Sequence, residues 1–566
     1  MMKSLASGLA AFLLGLVMTL ESCAFEPADA NEIVLYNSRL IPAPRSVQYS
    51  RGVVVFNAKL RCVLLLPDDW PQQDEFNAEL KELCLEARRD FGADFQFEIK
   101  SVKQFSREFS ESKEKSSGEV EFAQKLTDDH EFFKQTNAYR CLAVGDKRIP
   151  DDAKPEEFVE RQDELTGTLL ITASDLAGFR DSFKTLKQLA ETFGVSATTE
   201  DSRRFIPELE IDDVPRLVFR GLHLCWFPET ESTSIERSIR MASYYKFNYI
   251  VLEFWGVFPF EACDAMCWEE FHTSKDEVRR LVSLGRSLGV QLIPQINLLG
   301  HAPGARGASG KHTLLDNHPE MEPLFEPDGW TWNIYNPSTR DLLSKCVLEL
   351  YETFDRPPYF HIGCDEAYSA GTSFVARRKG NYAEVLAEWI THFHDLLQER
   401  DCRIMMWHDM LIEPADFKGY TACGNAKTWG LIDKLPKDIL LCDWQYDKPK
   451  ENETWPTTSF FSEKGFEVLS CPWRNLEGIK SLAGNAAEKK YFGLLCTTWH
   501  TFYGVEMRNI FTVGAHSAWG TEYRGDDQLS AFNRHLRQAN RDTVNKNYRT
   551  EGVNDWQVLK ETYVPF

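Results

Sequence analysis

Three things are scarce in this 566-residue chain, and each scarcity removes a class of function. Positive charge is the first: 64 Lys and Arg stand against 86 Asp and Glu, a formal net charge of −22 at pH 7. Binding nucleic acid requires a basic face that releases counterions, so this balance argues against nucleic acid as a partner. Long apolar runs are the second. Beyond the N-terminal run Leu9–Leu20, no stretch is long and apolar enough to span a bilayer. The third is metal-ligand spacing. The 14 Cys include no CxxC pair and no His/Cys cluster with zinc spacing, so neither metal nor cofactor is expected.

What is present begins with an export signal. Leu9–Leu20 follows Lys3 and is too short to cross a membrane, which is the form of a signal peptide, so residues 1–22 stand outside the fold. Leu20-Glu21-Ser22-Cys23 resembles a bacterial lipobox with Cys23 as a candidate lipid anchor, while Ala28-Asp29-Ala30 fits ordinary signal peptidase. Either reading gives an exported chain: a periplasmic or outer-membrane-anchored lipoprotein, or a secreted protein. Most cysteines, Cys225, Cys442 and Cys496 among them, sit singly inside apolar runs and read as buried small hydrophobes. Cys263 and Cys267 are close enough in sequence to pair.

The chain is long enough for two or three domains. Residues 40–212 read as a smaller α+β domain. Its β-rich runs are Val53–Phe56, Cys62–Leu66 and Thr168–Thr172, and its helical periodicities are Glu75–Phe91 and Phe179–Phe193. Residues 101–165, polar and charge-rich, read as a partly helical insertion. From 213 to 566 the pattern changes to short apolar runs alternating with helical segments. The runs are Leu217–Leu224, Tyr249–Phe254, Gln291–Ile296, Tyr359–Ile362, Arg403–Trp407, Ile439–Cys442, Glu467–Leu469 and Leu494–Thr497. Eight such alternations predict a (β/α)₈ TIM barrel, whose chemistry gathers at the C-terminal ends of the strands. Trp226, Trp255, Asn297, Asp365, Glu366, Trp407, Asp409, Trp444, Trp473 and Trp499 stand at those ends. A packing-only explanation gives no reason for such a gathering at one end.

The sharpest feature is Phe360-His361-Ile362-Gly363-Cys364-Asp365-Glu366, an apolar strand that ends in Gly and two adjacent carboxylates. Most Asp-Glu dipeptides are solvated surface pairs, but this one closes the fourth barrel strand. Two carboxylates held close acquire different pKa values, and a neutral acid beside an anion is what glycosidic cleavage requires.

This motif resembles the catalytic motif of glycoside hydrolase family 20, the β-N-acetylhexosaminidases. Ile41-Pro42-Ala43-Pro44, the Gly178–Leu189 segment, Phe219-Arg220-Gly221, Lys246-Phe247-Asn248, and Ile293–Asn297 with Gly300-His301 are similar to further family segments. The resemblance covers about residues 40–510. It implies hydrolysis of terminal β-linked N-acetylhexosamine from an oligosaccharide or glycoconjugate, with the substrate's own 2-acetamido oxygen as nucleophile. Glu366 is then the general acid and base, and Asp365 orients the acetamide and stabilises its charge. Arg220 is expected on the sugar hydroxyls and His301 in support of the site. Trp407, Trp444, Trp473 and Trp499 are expected as pocket walls, with Arg474 beside them.

The departures from the family pattern lie in those walls. Glu253-Phe254-Trp255 replaces a His-x-x-Asp, and Asn297 stands where the family has Asp. Arg474 takes the place of the Tyr on the acetamide oxygen, Thr501 that of a sugar-binding Glu, and Cys364 that of Gly or Ala. They leave open two alternatives: a same-fold glycosidase with another sugar preference, and a catalytically inactive glycan-binding protein. Retention of both carboxylates argues against the second alternative.

Overall fold

The computed structural model describes residues 27–540, except 72–73, 112–116, 130, 146–164, 193–203, 229, 303–304, 307–310, 426, 447–454, 500–504 and 524–528. The leader, Cys23 and Thr501 lie outside the described residues. The chain divides into two compact units, Met1–Pro215 and Arg216–Phe566.

The first unit is built on one mixed sheet. Its strands are β1 (Ser46–Phe56), β2 (Arg61–Leu66), β3 (Gln96–Ser101), β4 (Tyr139–Gly145), β5 (Gly167–Ala173), β6 (Glu191–Thr192) and β7 (Arg204–Asp213). They run in the order β1-β7-β4-β5-β2-β3, with β6 on β7. The expected insertion at 101–165 needs correction. It contains β4, which pairs antiparallel with both β5 and β7. Two helices, Val102–Glu111 and Ser117–Asp128, precede it and bury Val102, Phe105, Phe122 and Leu126 against Val63, Leu65, Leu142 and Leu170. The charged residues of this stretch are the solvated faces of amphipathic helices, and they hide a short buried strand from a reading by composition.

The second unit is a closed parallel barrel. Its strands are β8 (Phe219–Trp226), β9 (Tyr249–Phe254), β10 (Gln291–Gln295), β13 (Tyr359–His361), β14 (Arg403–Trp407), β15 (Leu440–Trp444), β16 (Val468–Cys471) and β17 (Gly493–Thr497). β11 (Ala305–Arg306) and β12 (Lys311–His312) form a small separate ribbon. The ring closes where β17 pairs with β8. Phe219, Val251, Ile293, Met405, Trp407, Leu440, Leu469 and Leu495 fill the barrel, so its interior is packed core. Near the strand starts, the rings of Phe219 and Tyr249 stack at 4.1 Å. Every described cysteine is a free thiol, Cys263 and Cys267 included, so the expected pairing of those two does not occur.

Candidate active site

The site is built where β13 ends. Gly363 and Cys364 both adopt left-handed backbone, with φ of 64° and 73°, and Glu366 does so at 45°. Residues other than Gly pay for this conformation, and such strain collects at functional sites. A side chain at Gly363 would meet Asn297 Oδ1 at 1.8 Å. Two contacts hold the turn: the Glu366 amide donates to Asp409 Oδ2 at 2.9 Å, and the Trp330 indole donates to the Glu366 carbonyl at 2.7 Å.

This turn presents two carboxylates to one histidine. His301 Nε2 lies 2.9 Å from Glu366 Oε2 and 3.4 Å from Asp365 Oδ2. The imidazole sits between Trp255, at 5.5 Å, and Trp330, at 4.5 Å. Asp365 is buried, while Glu366 is partly open. Burial disfavours the imidazolium, but the charges of Asp365, Glu366 and Glu253 outweigh it and raise His301 to about 9. Burial pushes Asp365 well above the carboxylate range, with Asp409, Glu253 and Glu366 adding to it against His301. Burial would also raise Glu366, yet hydrogen bonds from His301 and Tyr368 hold it below its ordinary value. Burial of Asp365 and the donors to Glu366 therefore drive the two apart, in the sense opposite to the acid role expected of Glu366. In the unliganded site, Asp365 tends to the neutral form and Glu366 is the anion of an ion pair with His301.

Around this centre stands a chain of aromatics. Trp407, wholly buried, packs on His361 at 4.4 Å and on Trp499 at 5.5 Å. Trp444 donates its indole N–H to Asp409 Oδ1 at 3.2 Å and stacks on Tyr446 at 5.0 Å. Trp499 donates to the Tyr446 hydroxyl, and Trp473 packs edge-on against the Tyr446 ring at 5.2 Å. The four expected tryptophans are thus brought together through Tyr446. Arg474 is exposed, with its guanidinium 4.3 Å from the centre of the Trp473 ring.

Arg220 is the expectation the structure overturns. It is the second residue of β8, at the end of the barrel opposite the mouth. Phe219 and His223 face inward, so strand alternation turns Arg220 outward. Its guanidinium donates to the carbonyls of Leu217, Val218 and Lys246 at 3.0, 3.2 and 2.8 Å and lies over Trp519. It ties the strand's entry to its surroundings and cannot reach a sugar at the mouth.

Beneath His301 lies a buried polar network. Glu253 Oε2 meets His223 Nε2 at 2.9 Å and the Cys225 thiol at 3.3 Å, and Glu253 Oε1 accepts from Asn297 at 2.6 Å. His223, Cys225 and Glu253 form the one group among the described residues whose donor atoms lie close enough to share a cation. Three donors already satisfy both carboxylate oxygens, which accounts for the cluster as hydrogen bonding. His223, Asp409, Tyr368 and Tyr446 escaped the sequence reading as site residues, as did Trp330. Asp409 and Trp255 stood at strand ends and carried that signal. Trp330 arrives from a long loop, and no periodicity marks it.

A family model for the catalytic domain of glycosyl hydrolase family 20 matches residues 209–504. The chain belongs to this family. A beta-hexosaminidase of Emericella nidulans is 22% identical over 329 residues, covering 53% of this chain and 49% of that protein. A lacto-N-biosidase of Bifidobacterium bifidum is 27% identical over 190 residues, covering 32% of this chain and 16% of that protein. The family 20 chain thus spans about half the length of the first of these curated relatives and less of the second. Among solved structures, the family 20 exo beta-N-acetylglucosaminidase of Vibrio harveyi, with N-acetylglucosamine bound, superimposes at a TM-score of 0.58 and 16% identity. The match covers 90% of this chain and 79% of that one. The beta-N-acetylhexosaminidase of Bacteroides fragilis gives 0.56 at 14% identity, covering 89% and 96%. These likenesses establish the fold that the strand pattern predicted.

Proposed function

We propose that this chain is an exported retaining glycosidase that removes terminal β-linked N-acetylhexosamine by substrate assistance. Glu366 protonates the leaving oxygen and later activates water. The substrate's acetamide oxygen attacks the anomeric carbon, and Asp365 stabilises the positive charge that develops on the acetamide. The observation that carries this reading is His301 held between Asp365 and Glu366 at the end of the fourth strand. The histidine and Glu366 share one proton, and Glu366 acts in the tautomer that carries it. Asp365 acts as the carboxylate, the form that the positive charge growing on the acetamide favours. The aromatic cluster around Tyr446 supplies apolar faces for the sugar ring.

Glu366→Gln is expected to lower turnover by roughly 10² to 10⁴-fold on poor leaving groups and much less on activated aryl glycosides. An equal loss across leaving groups would remove Glu366 from the acid role. The replaced wall residues favour a second reading, another amino sugar or a disaccharide unit on the same machinery. Parallel assay of gluco, galacto and disaccharide aryl substrates separates the two. The retained carboxylate pair, with His301 facing both, speaks against a binding protein that has lost catalysis.

A further inference from the structure

Both oxygens of the Glu366 carboxylate are occupied in the free site, and by partners of opposite character. Oε2 faces His301, which is packed between Trp255 and Trp330. Oε1 accepts from the Tyr368 hydroxyl at 2.7 Å, and Tyr368 is 60% exposed. Its backbone, by contrast, is pinned. The Tyr368 amide donates to the Glu366 carbonyl at 2.8 Å. The next residue, Ser369, donates to Asp328 at 2.5 Å and has the Thr331 hydroxyl 3.0 Å from its own. An anchored turn therefore holds an open phenol against Oε1 of Glu366, the oxygen not turned to His301. A leaving group that takes a proton from that oxygen comes beside that ring.

We propose that Tyr368 is a positioning and specificity-determining residue on the leaving-group side, its hydroxyl supporting Glu366 and its ring forming a platform for the departing sugar. This rests on Glu366 being the acid. As the Glu366 proton passes to the glycosidic oxygen and the C–O bond breaks, its electron pair leaves with that oxygen. Glu366 is left as a carboxylate, and the phenol O–H donates to the charge that appears. The hydroxyl therefore matters most where the leaving group needs a full proton. The ring acts separately, by offering an apolar face to the apolar face of a sugar. The titratable groups facing Glu366 are His301, Asp365, Asp409, Cys423 and Tyr368 itself.

The test uses two variants of the full chain, two substrates and one titration. Tyr368→Phe keeps the ring and removes the donor. Relative to wild type, kcat/KM for an N-acetylhexosaminyl disaccharide is expected to fall roughly tenfold, with an aryl glycoside of good leaving ability changed by less than about twofold. Tyr368→Ala is expected to add a rise in KM confined to the disaccharide. The Glu366 titration, read by infrared difference against Glu366→Gln, is expected to move to higher pH in Tyr368→Phe, because a donor to the anion is lost. Disaccharide and aryl substrates responding alike in both variants, or a Glu366 titration unmoved by Tyr368→Phe, would overturn the inference. Failure of the parent reading looks different: wild type then cleaves no 2-acetamido substrate, while the titration still reports whether Tyr368 governs Glu366.

Discussion

At Glu366 the question is where the acid's proton rests. The free site puts it on His301, whose pKa is raised to about 9, while Glu366 is held low. The two groups titrate as a coupled pair, and the proton lost near pH 9 belongs to the pair. The alkaline limb of kcat/KM is therefore expected near pH 9, and the acid limb above the usual carboxylate range, where Asp365 ionises. A pH–rate profile checks both limbs. His301→Gln removes the reservoir and is expected to bring the alkaline limb down below neutrality. An unmoved limb would show that His301 does not share the proton. Asp365 and Glu366 were legible in the sequence because the dipeptide closes an apolar strand after a glycine. Their division of charge was not legible, since it depends on burial and on His301 approaching both from the loop after β10. Glu253 illustrates the same limit. In sequence it is a strand-end carboxylate replacing part of the family's His-x-x-Asp, but in the fold it is buried with both oxygens engaged.

At the scale of elements, strand ends decide which residues meet. The eight apolar runs correspond to the eight barrel strands, with the first shifted from Leu217–Leu224 to Phe219–Trp226. That shift concerns the misjudged residue, Arg220. A motif match gave its neighbourhood in sequence, whereas strand direction and alternation set its end and its face. Arg220→Ala is expected to leave KM of the folded enzyme unchanged and to cost on the order of 2–4 kcal/mol, because buried carbonyls lose a charged donor. A denaturant melt beside a KM measurement checks this, and a raised KM with stability intact would restore Arg220 to the sugar. Gly363→Ala acts at the mouth. With φ at 64° and Asn297 Oδ1 at 1.8 Å from the new methyl, it is expected to cost about 2 kcal/mol or more and to displace both carboxylates. Thermal melts together with turnover read both effects.

At the scale of the whole molecule, the alternation of short strands and helices was sufficient to foresee the barrel, because closure needs little more than eight repeats of one pattern. The first unit was less legible, since β4 is a seven-residue strand set among charged helices. Cysteine chemistry follows the buried-hydrophobe reading: burial pushes the Cys62, Cys225 and Cys471 thiols well up, and each described cysteine is free. Reductant is therefore expected to leave the melting temperature unchanged, and a drop would reveal a disulfide. Export belongs to the proposal, and of its two expected processing routes the one through Cys23 is checked by metabolic labelling with a radioactive fatty acid in wild type and Cys23→Ala.

The central claim is that the substrate supplies the nucleophile. It is tested by comparing kcat/KM for two β-glycosides that share one aryl leaving group, one with a 2-acetamido group and one with a 2-hydroxyl. The expected result is at least about a hundredfold preference for the acetamide, since a pre-positioned intramolecular nucleophile carries a large effective molarity. Comparable cleavage of the 2-hydroxy glycoside through a covalent glycosyl-enzyme intermediate would contradict the mechanism and leave the fold untouched.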